Sequence, residues 1–329
     1  MIYAITVTVY PFPPDFDISR FVSFYTEFSR PDLTWDETVG LLKVSPDIIS
    51  RLLELSLAKM GIPVHFFFFS VTWLTIFLFL LVFRLLHVHY RKKEPEMWMF
   101  VFVLMSVSVP AVLSGIRNIH ALSVVSLALY LFFYRNRKTA AYLLIGYASL
   151  FHFSCYIFFF LPVVHRLKRN GVRNMIILSS LGFMTAALLP LSFYDKFLHP
   201  VITLKIDYYL INNSYLGNFL KKGMLNAFLY QLFLWYSLPL LLAVLYLKFR
   251  FRFLLRKEIY FLTVICLLFL FFPNIYSRYL MIWTVFVVYE ALLNFNRKWS
   301  PAVLALMVLQ FSLQHYFFWK TVYFHWTFF

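Results

Sequence analysis

Residues 64–83 read VHFFFFSVTWLTIFLFLLVF, a run without Asp, Glu, Lys or Arg. A helix needs about 20 apolar residues to cross a bilayer, so this run predicts a membrane span over 62–86. The composition also indicates a membrane protein, because 62% of the 329 residues are hydrophobic and only 13% are charged. A soluble domain carries roughly 25% charged residues. We therefore expect an all-α, polytopic transmembrane helix bundle.

Eight further apolar runs predict the remaining membrane segments. With the first run, and with one run either re-entrant or spanning, the sequence predicts about 9–10 membrane segments in all. The eight runs lie at 97–115, 119–134, 139–164, 174–193, 226–247, 258–273, 277–294 and 301–319.

The first 61 residues form a separate region, because they hold most of the acidic residues and no run long enough to span a membrane. Apolar residues interleaved with charge over 46–60 predict an amphipathic surface helix that leads into the membrane. We expect 1–61 to face outward and 62–329 to form the transmembrane domain. A polar stretch at 194–225 predicts an extramembrane loop.

The net charge of +16 does not indicate a nucleic-acid-binding protein, because the basic residues form short clusters between apolar runs rather than one face. Such clusters mark the cytoplasmic ends of spans, so we expect a multi-pass protein of the bacterial inner membrane. The clusters are Arg84 with Arg91, Lys92 and Lys93; Arg135, Arg137 and Lys138; Arg166, Lys168, Arg169 and Arg173; Lys248, Arg250, Arg252, Arg256 and Lys257; and Arg297 with Lys298.

The run 139–164 joins two of these basic clusters, so both of its ends favour the cytoplasmic side. A re-entrant hairpin with its tip near His152 would satisfy both ends, because non-helical backbone is tolerated at depth where protein covers it. The alternative is one tilted span, which would put the later basic clusters on the opposite side. We favour the hairpin.

Two arginines lie at breaks on the expected outer side, against the trend of the other basic residues. Arg117 is within SGIRNIHA (114–121) and Arg278 within NIYSRY (274–279). Guanidinium groups at helix starts could clamp a phosphate or pyrophosphate. Each could instead be an interfacial arginine that reaches the lipid headgroups.

Other polar residues near these breaks are weaker candidates. His152, in LFHFS (150–154), could be a general base or a hydrogen-bond partner of substrate, or a packed core histidine. His120 lies one turn beyond Arg117 and could share its pocket. Asp15 and Asp17 could act as a base or bind sugar hydroxyls, or could be solvated loop acids.

No sequence motif indicates a cofactor. The patterns GxGxxG, GxxxxGK[ST], CxxC and HExxH are missing from the sequence, and we expect neither a cofactor nor a metal. Cys155 and Cys266 lie inside apolar runs and are typical of small core residues. Glu290, beside Arg297 and Lys298, is interpreted as structural.

Four motifs in order resemble the EpsG family of exopolysaccharide polymerases, relatives of Wzy-type O-antigen and capsule polymerases. Phe21 stands where the family commonly has Tyr, and Asn118 stands where it has Gln. The family usually begins with a span before the first motif, and 1–10 is too short for one, so that span is expected upstream or lost. The motifs are Asp17-Ile18-Ser19-Arg20-Phe21, Arg117-Asn118-Ile119-His120-Ala121, Phe151-His152-Phe153-Ser154-Cys155 and Arg278-Tyr279-Leu280.

The resemblance implies a metal-independent, GT-C-like glycosyltransferase at the outer face of the inner membrane. It would join oligosaccharide repeat units carried on undecaprenyl pyrophosphate, with a flippase and chain-length regulators as partner proteins. Arg117, His152 and Arg278 would be catalytic. The substrate-binding candidates are Asp15, Asp17, Arg20, Asn118, His120, Ser154 and Tyr279.

Other functions fit some of the same features. A transporter or flippase of lipid-linked oligosaccharide would use the same arginines, but only 8 glycines and no paired halves with broken helices argue against it. An O-antigen-ligase-like transferase would differ only in its acceptor. A membrane acyltransferase and a non-enzymatic scaffold are the remaining alternatives.

Overall fold

The computed structural model describes residues 17–43, 47–107, 115–162, 256–269, 273–295 and 300–326, and the single positions 174 and 181. Every regular element within these residues is helical. The chain forms two compact units. Unit one comprises Met1–Phe159, Val288–Pro301 and Phe311–Phe329, and unit two comprises Phe160–Val287 and Ala302–Gln310.

The helices follow one another in the order of the predicted segments. They are α1 (Asp17–Phe28), α2 (Trp35–Lys43), α3 (Ile48–Lys59), α4 (Val64–Arg91), α5 (Met97–Ser106), α6 (Ile116–Tyr134), α7 (Lys138–Phe151), a 3₁₀ segment (Phe153–Phe160), α8 (Lys257–Leu268), α9 (Pro273–Leu293) and α10 (Ser300–Trp326).

Two helices among the described residues are long and apolar enough to cross a membrane. They are α4, with 28 residues, and α6, with 19. The segments predicted at 62–86 and 119–134 are therefore confirmed as helices of this kind. The segment predicted at 97–115 contains α5, and those predicted at 258–273, 277–294 and 301–319 overlap α8, α9 and α10. Those at 174–193 and 226–247, and the loop at 194–225, lie outside the described residues apart from positions 174 and 181.

The ends of α4 follow from its local sequence. Pro63 precedes the first helical residue, where a missing backbone N–H costs nothing. At the other end Lys92 adopts a left-handed conformation (φ 57°) and its N–H donates to the Val88 carbonyl, which closes the helix. The exposed Arg84, near the end of α4, pairs with Glu94 in the turn that follows the helix.

Helix α6 forms the centre of unit one. It packs against α4 on one side and α7 on the other, and most of its residues are buried. The hydroxyls of Ser123 and Ser126 donate to carbonyls of their own helix, so these polar side chains need no outside partner. The start of α6, which carries Arg117, is thereby held on a rigid, closely packed element.

The run predicted at 139–164 is broken at His152. Helix α7 ends at Phe151, His152 is extended (φ −148°, ψ 119°), and the 3₁₀ segment begins at Phe153. Within the described part the run is therefore not one continuous helix. The single tilted span stays the alternative to the hairpin, because a break of one residue does not exclude it. The break coincides with the expected tip, and the re-entrant path across the bilayer stays a prediction.

The helix predicted within 46–60 is α3, and its polar face points inward. Buried side chains include those of Ser50, Arg51 and Glu54, whereas Ile48 and Leu52 are about half exposed. Nearby, Tyr25 and Phe28 of α1 pack on Ala58, and the Tyr25 hydroxyl donates to the Ile62 carbonyl. The N-terminal helices thus enclose charged groups. The division of the chain into outward-facing and transmembrane parts stays a prediction.

Candidate active site

Three segments of unit one meet at Asp47, the residue before α3. Its Oδ2 lies 3.1 Å from Nη1 of Arg117 at the start of α6. Its Oδ1 accepts a hydrogen bond of 3.0 Å from the backbone N–H of Phe153, just past the break in α7. The Asp47 side chain is 6% exposed and that of Arg117 is 17% exposed. One carboxylate therefore joins two of the four motifs of the sequence, those at 117–121 and 151–155.

The hydrogen bond at His152 determines which ring nitrogen carries the proton. The backbone N–H of Ser154 donates to Nδ1 of His152 at 3.2 Å. Because a backbone N–H can only donate, Nδ1 accepts, and the neutral ring carries its proton on Nε2. His152 in this state can donate to a substrate oxygen through Nε2.

Asn118 and Ser154, two predicted substrate-binding residues, are in direct contact. The Ser154 hydroxyl donates to Oδ1 of Asn118 at 3.0 Å. Asn118 is buried and Ser154 is half-buried. This bond fixes the segment after His152 to the first turn of α6, so Arg117 and His152 belong to one local framework.

A second buried ion pair lies on the inward face of α3. Nη1 of Arg51 is 2.5 Å from Oε2 of Glu54, and the side chains are 5% and 0% exposed. The Ser50 hydroxyl donates to the other oxygen of Glu54 at 3.0 Å. Burial raises the pKa of Glu54, even though the adjacent Arg51 favours its charged form. Burial also lowers the pKa of Arg51, which remains a cation at neutral pH.

One donor of Arg51 is left unsatisfied. Its Nε is buried and has no hydrogen-bond partner among the residues that the structure describes. An unsatisfied buried donor costs about 1–3 kcal/mol. The guanidinium instead stacks on aromatic rings, with Cζ 3.7 Å from the centre of Phe24 and 5.6 Å from that of Phe21.

Phe21 links the two arginines. The Cζ atom of Arg117 lies 4.9 Å from the centre of the Phe21 ring, so both guanidinium groups are within the range of cation–π attraction to one side chain. This is the position where Tyr is common in the family. Here the ring face makes the contact, and Phe has no hydroxyl to add to it.

His120 connects three helices. The Thr75 hydroxyl donates to the Val71 carbonyl at 2.7 Å, so its 3.2 Å contact with Nδ1 of His120 is a donation by the histidine. The Phe151 ring lies 4.7 Å from the His120 ring. His120 is therefore anchored to α4 and α7.

The other predicted site residues belong to different parts of the chain. Asp15 lies outside the described residues. Asp17 and Arg20 lie on α1, where the structure does not describe their side chains. Arg278 is half-buried on α9 in unit two, and Tyr279 packs against Phe269 with ring centres 5.3 Å apart. A role of Arg278 in clamping a phosphate or pyrophosphate stays a prediction.

Sequence reasoning missed Asp47, Arg51 and Glu54 as site residues. One signal was present: positions 47, 51 and 54 share a face of the helix, since residues three and four apart are neighbours. Without the tertiary structure, that charged face was assigned to solvent. Its burial is what turns ordinary surface charges into candidates for function.

The fold and this site define a helical membrane protein with buried arginine–carboxylate pairs, a constellation suited to binding an anion. No group of three or more His, Cys, Asp and Glu side chains that could hold a metal occurs within the described residues.

The model of the EpsG family matches residues 4–329. The chain therefore belongs to the EpsG family, which is related to the Wzy-type polymerases, and the resemblance drawn from the four motifs is confirmed. Membership indicates an exopolysaccharide-related polymerase role with glycosyltransferase-like chemistry. Comparison with the curated proteins and with the solved structures gave no match.

Proposed function

We propose that this protein polymerises lipid-linked oligosaccharide repeat units into a surface or secreted polysaccharide, as a multi-pass, GT-C-like glycosyltransferase of the bacterial inner membrane. The observation that carries the proposal is the junction of Asp47, Arg117 and the His152 break. Arg117 and the break at His152 belong to the most specific part of the resemblance, residues 114–162. The Asp47 carboxylate contacts both the Arg117 guanidinium and the backbone N–H of Phe153, the residue after His152.

The proposed reaction is a displacement at the anomeric carbon of the growing glycan. A hydroxyl of the incoming repeat unit attacks this carbon, the bond to the lipid pyrophosphate breaks, and the hydroxyl proton passes to the departing pyrophosphate or to solvent. The leaving group gains negative charge in the transition state, so a cation already in position lowers the barrier. Arg117 is suited to this role because its guanidinium can hold two phosphate oxygens. Arg278 and Tyr279 are proposed to complete substrate binding.

The tautomer of His152 favours a donor role. With its proton on Nε2, the ring can hold a substrate oxygen by donation, whereas Nδ1 is engaged by Ser154. Of the two roles that the sequence offers for His152, a general base or a hydrogen-bond partner of substrate, this arrangement supports the second, in which His152 orients the acceptor. The outward-facing N-terminal region, including Asp17, would lie on the same side as the lipid-linked substrates.

Loss of the gene tests the function directly. In a deletion strain we expect single lipid-linked repeat units to accumulate on the outer leaflet, and polymer to return on complementation. The measurement is a mass-spectrometric profile of lipid-linked glycans, combined with labelling from outside by a membrane-impermeant reagent. Repeat units confined to the inner leaflet would favour a flippase, and full-length polymer that is not attached would favour a ligase.

Two substitutions separate the ring nitrogens of His152. Asparagine can replace the Nδ1 acceptor of the turn, and glutamine can replace the Nε2 donor. If Nε2 contacts substrate, His152→Asn should lower polymer yield about 10- to 100-fold, the scale of one charged or strongly aligned hydrogen bond. His152→Gln should retain more activity.

The two variants should be compared at equal protein level in membranes. The opposite ranking, with asparagine active and glutamine inactive, would assign His152 to the turn alone and contradict a contact with substrate.

A further inference from the structure

The Asp47 carboxylate occupies a site that is built for an anion. A guanidinium and a backbone N–H converge on its two oxygens, from Arg117 and Phe153. A phosphoryl group accepts hydrogen bonds from the same donors, with similar geometry. The carboxylate therefore marks where a phosphoryl group would bind after Asp47 releases Arg117.

Arg51 supplies a second cation, one helical turn beyond Asp47. It is 4% exposed, and its charge has only Glu54 as a direct ion-pair partner among the described residues. Its Nε has no hydrogen-bond partner among them. A buried guanidinium with an unused donor is a strong ligand for a second anionic group, because water is already excluded from it.

Both guanidinium groups lie near the ring of Phe21. Both Cζ atoms lie within about 6 Å of its centre, the range of cation–π attraction. Burial lowers the pKa of Arg51, and the nearby charge of Arg117 lowers it further, whereas Glu54 raises it. The two guanidinium groups repel each other, and a ligand with one negative charge for each group would offset this repulsion.

From these contacts we propose that Arg51 and Arg117 form one diphosphate-binding subsite, in which Asp47 is the exchangeable counter-ion of Arg117. This inference rests on the proposed function, and it assigns the pyrophosphate of the lipid carrier to α3 as well as α6. A phospholipid headgroup offers the same chemistry with a single phosphate, so a preference for two phosphates distinguishes the two sources.

The test measures binding without glycosyl transfer. The purified full chain in phosphatidylcholine nanodiscs is titrated with inorganic pyrophosphate and with orthophosphate by calorimetry. The wild-type protein should bind pyrophosphate more tightly. Arg51→Gln should weaken pyrophosphate binding about tenfold or more, to the level of orthophosphate, since one charge-assisted contact is lost. Arg30→Gln is the matched control, because Arg30 is an exposed arginine of the same region, paired with Glu27 and Asp32.

A second variant should raise the affinity for pyrophosphate rather than lower it. Asp47→Asn keeps an oxygen for the Phe153 N–H but removes the competing charge, so pyrophosphate affinity should rise several-fold. An unfolded protein could not show this gain. The proposal is overturned if folded Arg51→Gln keeps wild-type affinity, or if Asp47→Asn leaves affinity unchanged.

Two further comparisons distinguish a lipid headgroup from a pyrophosphate ligand, and failure of the subsite from failure of the proposed function. In nanodiscs that contain phosphatidylglycerol, pyrophosphate should still bind. Displacement by this lipid, with no preference for pyrophosphate over orthophosphate, would assign the pair to headgroups and overturn the subsite. If pyrophosphate binds through Arg51 but the deletion strain accumulates no repeat units, the proposed polymerase function fails and the subsite stands.

Discussion

Polymer yield is expected to fall at least about 100-fold when Arg117 is replaced by alanine, because removing one preorganised donor from a developing negative charge costs 10²–10³ in rate. The protein should remain in the membrane. The measurement is the length distribution of the polysaccharide in a deletion strain that expresses the variant, normalised to protein level. Arg84→Ala removes an exposed arginine that is also ion-paired, and it should leave the polymer unchanged.

A structural explanation for the Arg117 variant can be tested separately. Alanine leaves the buried Asp47 carboxylate without its ion-pair partner, which could lower the amount of folded protein. The double variant Asp47→Asn with Arg117→Ala removes this unpaired charge. We expect it to restore protein level but not polymer. Normal long-chain polymer from the double variant would show that Arg117 acts only by pairing with Asp47.

The largest effect on stability is expected from Glu54→Ala. This change leaves the charge of Arg51 buried without its ion pair and should lower the free energy of unfolding by about 3–5 kcal/mol. Glu54→Gln also removes the negative charge but should cost less, because glutamine keeps an acceptor for Arg51 and a partner for the Ser50 hydroxyl and leaves no cavity. Denaturant unfolding of the protein in detergent micelles measures both variants.

An exposed pair provides the control for Glu54. Arg84 and Glu94 are more than half exposed and make two short hydrogen bonds, yet solvent screens their attraction. Glu94→Ala should therefore change stability little. If it destabilises the protein as much as Glu54→Ala, burial is not the cause of the Glu54 effect.

The pH dependence of stability should follow from the same carboxyl group. Burial raises the pKa of Glu54 in the folded protein above its ordinary value of 4.5, so folding favours the protonated form. This contribution is fully present below pH 4.5 and is lost as pH rises through the folded pKa. Glu54→Gln removes the titration, so its stability should vary less across that range than that of the wild type.

Much of the architecture could be predicted from local sequence signals. The apolar runs placed α4 and α6, because the length of a spanning helix is set by the thickness of the bilayer. The break at His152 was also predictable, since basic clusters flank the run that contains it. The position of Arg117 at the start of a helix followed from the Gly115 that precedes it and from the apolar residues after it.

The inward face of α3 could not be predicted in this way. Apolar and charged residues alternate along it, and either face could have been the buried one. Helix α1 determines which face of α3 is buried, because Phe21 and Phe24 cover Arg51, whereas Ile48 and Leu52 remain exposed. An amphipathic pattern shows that the two faces of a helix differ in polarity, but the helices packed around it determine which face is buried.

The sequence by itself determined that this is a helical membrane protein of the EpsG family and that Arg117 and His152 are candidates, because these conclusions depend on apolar length, charge position and short motifs. The tertiary structure alone decided that Asp47 pairs with Arg117 and accepts a hydrogen bond from the backbone of Phe153, 106 positions away, and that Arg51 and Glu54 are buried. Contacts between distant segments arise from packing, and packing energy is a property of the assembled helices rather than of any one stretch of chain.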